Sequence, residues 1–410
     1  MNGINGNVIV GQSGGPTAVI NSSLAGVYKT ARDRGANQVY GMVHGIQGLL
    51  EERYVDLSKH ITSDLDIELL KRTPSAYLGS CRFKLPEISQ DREIYDKIFQ
   101  ILEKLEIGYF FYIGGNDSMD TVSKLSRYAE KINSDICVIG EPKTIDNDLV
   151  MTDHTPGFGS AARYVASTVR EIVIDANVYE TKSVTIVEIM GRHAGWLTAA
   201  SALARKSVGD NPLLIYLPET AFDEEAFLEK VNNCFEKNPN VIVCVSEGIH
   251  DKDGTFICEY DNSVGTDTFG HKMLAGCGKY LENLVRNRLC VKARSVELNV
   301  NQRCSASMMS ATDQKEAILA GQFGVREALK GATGKMVSYV RTSDLPYSMT
   351  LGLEDVNLIC NQEKTVPLEW ISKDGSDVTD AFLAYALPLI QGTVEIPLGT
   401  DGLPDFLSRK

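Results

Sequence analysis

Short, uninterrupted apolar segments recur along this chain, and each ends in a turn rich in glycine or charged residues. They cover residues 8–10, 109–113, 136–139, 184–187, 213–217 and 241–245. Helical patterns, such as those at residues 119–132 and 313–329, lie between or after them. Runs of this length predict buried parallel strands, because strands covered on both faces show no polar alternation. The sequence therefore predicts an α/β fold with mostly parallel sheets.

The turns after these segments hold much of the chain's clustered Gly, Asp, Glu, Lys and Arg. In open parallel sheets, ligands bind beyond the carboxyl ends of the strands, where such turns meet. Gly and Asp also punctuate ordinary turns, but six turns of this kind favour a binding edge. Since 410 residues exceed the usual size of one hydrophobic core, two or three domains are expected.

Charge, cysteine content and hydropathy exclude several classes of function. A net charge of −13 opposes nonspecific binding to nucleic acid or to anionic lipid, so we expect neither as a partner. The nine cysteines form no Cys-x-x-Cys pair, which argues against a zinc or redox motif. No stretch approaches the ~18 apolar residues that span a bilayer, and no signal peptide opens the sequence, so a cytoplasmic location is expected.

Two glycine pairs, Gly14-Gly15 and Gly114-Gly115, each lie between a predicted strand and the following helix. Glycines there let backbone N–H groups approach an anion, while the helix N-terminus adds positive partial charge. Either pair alone is a weak signal. No Gly-Lys pair in the chain has the flanking residues of a Walker A loop, so a P-loop NTPase is not expected.

The strongest chemical signal is the segment Pro142-Lys143-Thr144-Ile145-Asp146-Asn147-Asp148, directly after a predicted strand. One of its carboxylates could take a proton from an attacking hydroxyl while the other orients water or metal, as phosphoryl transfer to an alcohol requires. The lysine would neutralise charge on the transferred group. Taken alone, the segment fits an Asx-rich turn that caps a helix better.

Four motifs in one order make the sequence similar to the phosphofructokinases. They are Gly14-Gly15, Gly114-Gly115-x-x-Ser118, Pro142-x-Thr144-Ile145-Asp146-Asn147-Asp148 and Met190-Gly191-Arg192-x-x-Gly195. The resemblance covers about residues 7–345. It implies two Rossmann-like three-layer domains with the active site in the cleft between them. Residues 1–157 with about 305–345 would bind the phosphoryl donor and Mg²⁺, and residues 158–304 with about 346–410 would bind fructose 6-phosphate.

The resemblance also implies roles for single residues. Asp146 would be the general base for the sugar 1-hydroxyl, with Thr144 beside it, and Arg82 would stabilise the transferring phosphoryl group. The implied substrate contacts are Gly15, Thr144, Ile145, Asp146, Met190, Gly191, Arg192, Glu247, Arg294 and Arg303. The last two resemble a phosphate-binding pair, one of which commonly comes from a neighbouring subunit, so a homodimer or homotetramer is implied. A solvated surface role is the alternative for Arg294.

Two positions depart from the family pattern. Asn116 stands where the family usually has an acid, so Mg²⁺ ligation there loses a charge, and Asp117 or the substrate oxygens would carry more of the metal. Val300 stands where His or Tyr often precedes the final arginine, which weakens the expected sugar-phosphate contact at that point. Neither departure affects Asp146.

Asp117 and Lys143 indicate pyrophosphate rather than ATP as the donor. ATP-using members generally carry glycine at both positions, where the α-phosphate and ribose pass close to the backbone. The carboxylate would repel the α-phosphate, while the ammonium would bind the two phosphates of pyrophosphate. The implied reaction is reversible transfer to the 1-hydroxyl of fructose 6-phosphate, giving fructose 1,6-bisphosphate. Residues 366–371 and 377–390 also resemble this longer branch.

Three alternatives stay open. An ATP-dependent phosphofructokinase is the nearest of them. A lipid or NAD kinase shares a glycine-rich acidic turn, but it would leave Glu247 and the segment Met190-Gly191-Arg192 unexplained. A non-catalytic regulatory subunit should have lost the base or Arg82, and this sequence keeps both.

Overall fold

The computed structural model describes residue 4 and residues 6–260 and 276–408. Its strands are β1 (Asn7–Gln12), β2 (Val39–Met42), β3 (Tyr54–Asp56), β4 (Ile107–Gly114), β5 (Cys137–Pro142), β6 (Ser183–Ile189), β7 (Leu214–Tyr216), β8 (Asn240–Ser246), β9 (Lys292–Glu297), β10 (Lys335–Asp344) and β11 (Tyr347–Asp355).

The α-helices are α1 (Ile20–Asp33), α2 (Gly45–Leu50), α3 (Asp64–Arg72), α4 (Arg92–Lys104), α5 (Asn116–Lys131), α6 (Phe158–Ala176), α7 (Trp196–Ala200), α8 (Glu224–Cys234), α9 (Cys277–Leu289), α10 (Asn301–Cys304), α11 (Ala311–Ala328) and α12 (Asp380–Ala386). Short 3₁₀ helices cover Leu57–Lys59, Ser201–Ala204, Ile257–Tyr260, Val356–Leu358, Leu368–Trp370 and Leu387–Ile390. Among the described residues, no helix combines the length and the apolar character needed to cross a membrane.

Two sheets organise these elements. The larger has seven strands in the order β11-β10-β5-β4-β1-β2-β3, with antiparallel pairs at its two edges and parallel pairs between them. The smaller has four parallel strands in the order β7-β8-β6-β9. Each of the predicted apolar segments overlaps one of the parallel strands.

Alternate residues of the central strands face opposite helical layers. In β4, Phe110 and Tyr112 pack with α4 and α5, whereas Phe111 and Ile113 pack with α1 and α11. The smaller sheet has α6, α7 and α12 on one face and α8 and α9 on the other. Burial of both faces explains the continuous apolar runs. Both units are therefore three-layer α/β structures, which confirms the predicted fold class.

The expected domain boundary at about residue 345 implied that the chain passes to the smaller sheet directly after this point. The structure differs. β11 pairs antiparallel with β10 at the edge of the larger sheet. Two residues separate these strands, so a hairpin forms, whereas a crossover to another sheet would need a longer connection. Residues that pack on the smaller sheet follow later, including Val366, Phe382 and Leu389. The boundary therefore falls after β11.

Two further expectations concern single elements. The helix expected at residues 119–132 begins earlier, at Asn116, so its N-terminus directly follows the second glycine pair. In the sequence, the strand–helix pattern also lapses over residues 261–279. Most of this segment lies outside the described residues, and α9 begins at Cys277.

Candidate active site

Three neighbouring strands bring the predicted donor residues to one edge of the larger sheet. β1, β4 and β5 are adjacent and parallel, so the turns that follow them meet at their carboxyl ends. The first turn contains Gly14 with φ +76°, a left-handed conformation that favours glycine. The second turn leads directly into the N-terminus of α5. Backbone N–H groups and a helix N-terminus at one edge form an arrangement suited to anions.

Lys143 joins the first two turns to the third. Its backbone N–H donates to the carbonyl of Gly114 at 3.0 Å, and its Nζ donates to the carbonyl of Gly15 at 2.5 Å. The residue is buried, with 2% of its surface exposed. The Lys143 ammonium therefore lies between the two glycine turns, where we expect the phosphates of the donor to bind.

Burial lowers the pKa of Lys143 to about 8, although the carboxylate of Asp146 opposes this shift. The guanidinium groups of Arg303 and Arg82 lower the pKa further. Both arginines thus lie close enough to Lys143 to repel its ammonium. A phosphate anion among them would relieve that repulsion and favour the protonated lysine.

The loop that carries Arg82 packs on the first glycine turn. Ser80 Oγ donates to the carbonyl of Gly14 at 2.6 Å, and the Gly14 N–H donates to the carbonyl of Cys81 at 3.2 Å. These contacts explain how an arginine far along the chain from Lys143 comes to influence it.

The turn after β5, residues 143–148, which we call the acidic turn, is held by hydrogen bonds of its own side chains. The Asp146 N–H donates to Thr144 Oγ1 at 3.0 Å, and Asn147 takes a left-handed conformation with φ 56°. Burial raises the pKa of the Asp146 carboxyl, while Lys143 limits the rise. Burial, together with the neighbouring Asp146, raises the pKa of Asp148 to about 7. Carboxyl groups with pKa values shifted towards neutrality are suited to exchange protons at physiological pH.

Ile145, the remaining predicted contact in this turn, has its side chain in the core of the smaller domain. Its backbone alone is therefore available to a substrate.

The segment Met190-Gly191-Arg192, which the resemblance assigns to the sugar phosphate and which we call the sugar segment, follows β6. Residues at the end of β8 hold it in place. Gly191 has φ +146°, its N–H donates to Glu247 Oε1 at 3.3 Å, and its carbonyl accepts from Ser246 Oγ. The Met190 N–H donates to Gln302 Oε1 at 3.2 Å, a contact that the sequence did not predict.

Glu247 links this segment electrostatically to the acidic turn. Burial raises the pKa of Glu247 to about 7, and the carboxylate of Asp146 adds to the rise while Arg192 opposes it. The acidic turn and the sugar segment, which follow strands of different sheets, therefore lie close to each other.

The two predicted phosphate-binding arginines lie apart. A Cβ placed on Gly15 would lie 3.6 Å from Arg303 Nη1, so Arg303 lies beside the first glycine turn of its own chain, which we also call the donor turn. Arg294 lies within β9, opposite Thr185, and lines a groove of about 300 Å³ against α6. Its Nη1 lies 4.0 Å from Asp175 Oδ2, and 47% of its side chain is exposed. Arg294 thus faces outward rather than into the site of its own chain.

Asn116, one of the two predicted Mg²⁺ ligands, is occupied by the backbone. Its Nδ2 donates to the carbonyl of Gln362 at 2.5 Å, and its Oδ1 accepts the N–H of Asn361 at 2.6 Å. Asp117 is exposed in the first turn of α5. Among the described residues, no group of three His, Cys, Asp or Glu could hold a metal ion alone.

Residues from the C-terminal part of the chain also lie near the acidic turn, and the sequence analysis did not predict this. Tyr385 Oη accepts a hydrogen bond from Asn147 Nδ2 at 2.8 Å. Glu363 lies close enough to raise the pKa values of Asp146 and Asp148. These residues are more than 200 positions from the acidic turn, and no local pattern points to them.

Comparison with known proteins agrees with the fold. The family model described as "Phosphofructokinase" matches residues 7–327. The chain is 41% identical to pyrophosphate--fructose 6-phosphate 1-phosphotransferase of Xanthomonas campestris, over 99% of this chain and 96% of that protein. It is 42% identical to the protein of that name from Rhodospirillum rubrum, over 94% of both. A crystal structure of a pyrophosphate-dependent phosphofructokinase from Marinobacter aquaeolei superposes with a TM-score of 0.88, at 36% identity over 98% of this chain and 96% of that one. The chain belongs to the phosphofructokinase family.

Proposed function

We propose that this protein is a pyrophosphate-dependent 6-phosphofructokinase. It transfers a phosphoryl group from pyrophosphate to the 1-hydroxyl of fructose 6-phosphate, giving fructose 1,6-bisphosphate and phosphate. The observation that carries the proposal is the buried ammonium of Lys143 on the Gly15 carbonyl, between two glycine turns and close to Asp146. Relatives of about 40% identity that carry the pyrophosphate name support this choice of donor.

In the proposed reaction, Asp146 accepts the proton of the sugar 1-hydroxyl. The hydroxyl oxygen forms a bond to the near phosphorus of pyrophosphate, and the bond from that phosphorus to the bridging oxygen breaks. Lys143, Arg82 and Arg303 offset the negative charge of the transferring and leaving groups. The raised pKa of Asp146 supports its role, because a base nearer neutrality is better matched to proton transfer at physiological pH.

The sugar phosphate would bind along the segment after β6. Backbone and side chains of Met190, Gly191 and Arg192 hold it, and Glu247 accepts from a sugar hydroxyl. The hydrogen bond between the Gly191 N–H and Glu247 supports this assignment, because it fixes the carboxylate beside the segment. Donor binding by the larger sheet and sugar binding by the smaller one remain part of the same proposal.

Mg²⁺ fits this site as an ion held partly by substrate. It usually binds one or two carboxylates together with phosphate oxygens and water, rather than a full protein cage. Asp117 would contribute the carboxylate, since the side chain of Asn116 already binds backbone groups. When bound, the ion would neutralise charge on the phosphates. A cytoplasmic location, consistent with nine free cysteines, completes the proposal.

A donor assay tests the proposed function directly. With fructose 6-phosphate and Mg²⁺, formation of fructose 1,6-bisphosphate should be rapid with pyrophosphate and near zero with ATP, because the Asp117 carboxylate opposes an α-phosphate. A coupled assay that detects the bisphosphate measures both rates under one set of conditions. Rapid turnover with ATP and none with pyrophosphate would favour the ATP-dependent alternative, and no turnover with either would favour the regulatory-subunit alternative.

The outward position of Arg294 supports a shared sugar-phosphate site in a homodimer or homotetramer. We expect Arg294→Ala and Asp146→Ser chains to be nearly inactive alone and to regain activity when subunits are mixed. A hybrid dimer keeps one intact site, so equal mixing should restore roughly a quarter of wild-type activity across a two-fold interface.

The matched control for this mixing experiment is Arg303→Ala with Asp146→Ser. Both residues act in the same chain by our proposal, so this hybrid should restore nothing. Subunit exchange would be verified with differently tagged chains. Exchange without recovered activity in the Arg294 mixture would leave Arg294 as a solvated surface residue.

A further inference from the structure

Residues 361–366 form a strap that crosses from the larger domain to the smaller one. Asn116, at the start of α5, binds the backbone of Asn361 and Gln362 at one end of the strap. At the other end, the Val366 N–H donates to Glu219 Oε1 at 2.8 Å. The same oxygen accepts the N–H of Gly195 at 2.8 Å. Gly195 is the last residue of the motif Met190-Gly191-Arg192-x-x-Gly195, which we call the sugar motif.

Lys364 lies at the centre of the strap, and its backbone bonds to both halves of the site. Its N–H donates to the carbonyl of Asp148, in the acidic turn, at 2.7 Å. Its carbonyl accepts from Trp196 Nε1 at 2.9 Å. Trp196 begins α7, directly after the sugar motif. One residue of the strap thus connects the acidic turn with the sugar segment.

The Lys364 side chain adds contacts that a backbone alone cannot make. Its Nζ donates to the carbonyls of Thr152 at 3.0 Å and Asp153 at 2.8 Å, in the chain that continues from the acidic turn. Nζ also lies 5.2 Å from the centre of the Trp196 ring, within cation–π distance. The Lys364 ammonium therefore holds Thr152 and Asp153, which follow the acidic turn, against Trp196, the residue that also binds the Lys364 carbonyl.

We propose that Lys364 is a positioning residue, which holds the acidic turn at a fixed distance from the sugar segment. The inference rests on the proposed function, since it assigns Asp146 to proton transfer from a bound sugar. Proton and phosphoryl transfer depend steeply on alignment, and a misplacement of about 1 Å can cost about 10²-fold in rate. Lys364 itself touches backbone carbonyls and an aromatic ring rather than the reacting atoms.

The direct test is Lys364→Met, which keeps the length and the backbone bonds of the residue and removes the ammonium. We expect kcat to fall by about 10- to 100-fold, whereas KM for fructose 6-phosphate should change little, because Met190, Gly191 and Arg192 remain in place. Lys373→Met is the matched control. Lys373 is exposed elsewhere in the C-terminal segment, and its replacement should leave kcat and KM unchanged.

The pH profile supplies a readout that a loss of folding would not produce. The Lys364 ammonium interacts favourably with the carboxylates of Asp148 and Asp153 and unfavourably with Arg341. Asp146 and Glu363, which also face Asp148, already raise its pKa. Removal of the ammonium should raise the pKa of Asp148 further. Because Asp148 and the proposed base Asp146 influence each other's pKa, the acidic limb of kcat should shift in Lys364→Met and stay in place in Lys373→Met.

Each result decides the proposal. A lower kcat with a shifted acidic limb supports the positioning role. Wild-type kcat and pH profile in Lys364→Met would overturn it, and so would a fall in activity that only parallels the loss of folded protein in thermal unfolding. The assays use whichever donor the wild-type enzyme accepts, so a preference for ATP would refute the proposed donor without affecting this comparison.

Discussion

Asp146→Ser should lower kcat by about 10²- to 10⁴-fold, the usual contribution of a general base, with little change in KM for fructose 6-phosphate. The replacement keeps a small polar side chain at the turn and removes only the group that accepts the proton. Sugar binding should persist because Met190, Gly191 and Glu247 are held by contacts within the smaller domain. Steady-state kinetics with pyrophosphate as donor measures both constants.

The stability of this variant separates lost chemistry from lost structure. Burial raises the pKa of Asp146 in the folded chain, so above the unfolded pKa its ionised form opposes folding. Asp146→Ser should therefore keep or increase the Tm near pH 8, even though activity falls. Asp33→Ser, at an exposed site at the end of α1, is the control and should leave kcat unchanged. Near-normal kcat in Asp146→Ser would remove this residue from the role of base.

Much of this fold could be predicted because its signals are local. The turn that holds Lys143 and Asp146 directly follows β5, and the strand and turn are contiguous in sequence. Parallel neighbours then bring such turns together without further information, since all their carboxyl ends lie at one edge. The β10–β11 hairpin was not predicted because its strands mix polar with apolar residues and are buried only at residues 336–339 of β10, so they lack the continuous apolar run of a strand buried on both faces.

The spatial separation of the two arginines also follows from local geometry that spacing alone hides. Arg294 and Arg303 are nine residues apart, but the first lies in β9 and the second in α10. A strand advances about 3.3 Å per residue, so Arg294 lies roughly 10 Å before the carboxyl end of its strand. Only Arg303, beyond that end, reaches the donor turn.

The contacts made by Asn116 could not be predicted in the same way. Its partners are about 245 positions further along the chain, and neither residue belongs to a periodic pattern. The replacement of an acid by asparagine at this position suggested only a weaker metal ligand. The structure gives a chemical reason for the amide, because a carboxylate could not donate a hydrogen bond to the carbonyl of Gln362.

The donor preference should depend on two residues that act by different physics. Lys143→Gly should lower pyrophosphate-dependent kcat by about 10²-fold or more, because it removes the ammonium that lies between the glycine turns. Asp117→Gly should instead remove a repulsive group and raise kcat/KM for ATP by about 10-fold from a level near zero, even though overall activity falls because the proposed Mg²⁺ carboxylate is lost. Parallel assays with each donor measure both effects. Lys330→Gly, an exposed lysine after α11, is the control for loss of a lysine side chain.

The double variant tests whether these two residues are sufficient to set the donor. Lys143→Gly with Asp117→Gly should use ATP better than either single variant, because the space and charge of both positions then suit an α-phosphate. The strap bonds to Asn116, next to Asp117, so we expect it to restrict the path that a ribose and base would take out of the site. ATP use in the double variant should therefore stay well below the pyrophosphate rate of the wild type. Efficient ATP use by the double variant would show that the strap does not obstruct the nucleotide, and wild-type pyrophosphate rates in Lys143→Gly would contradict the role of the ammonium.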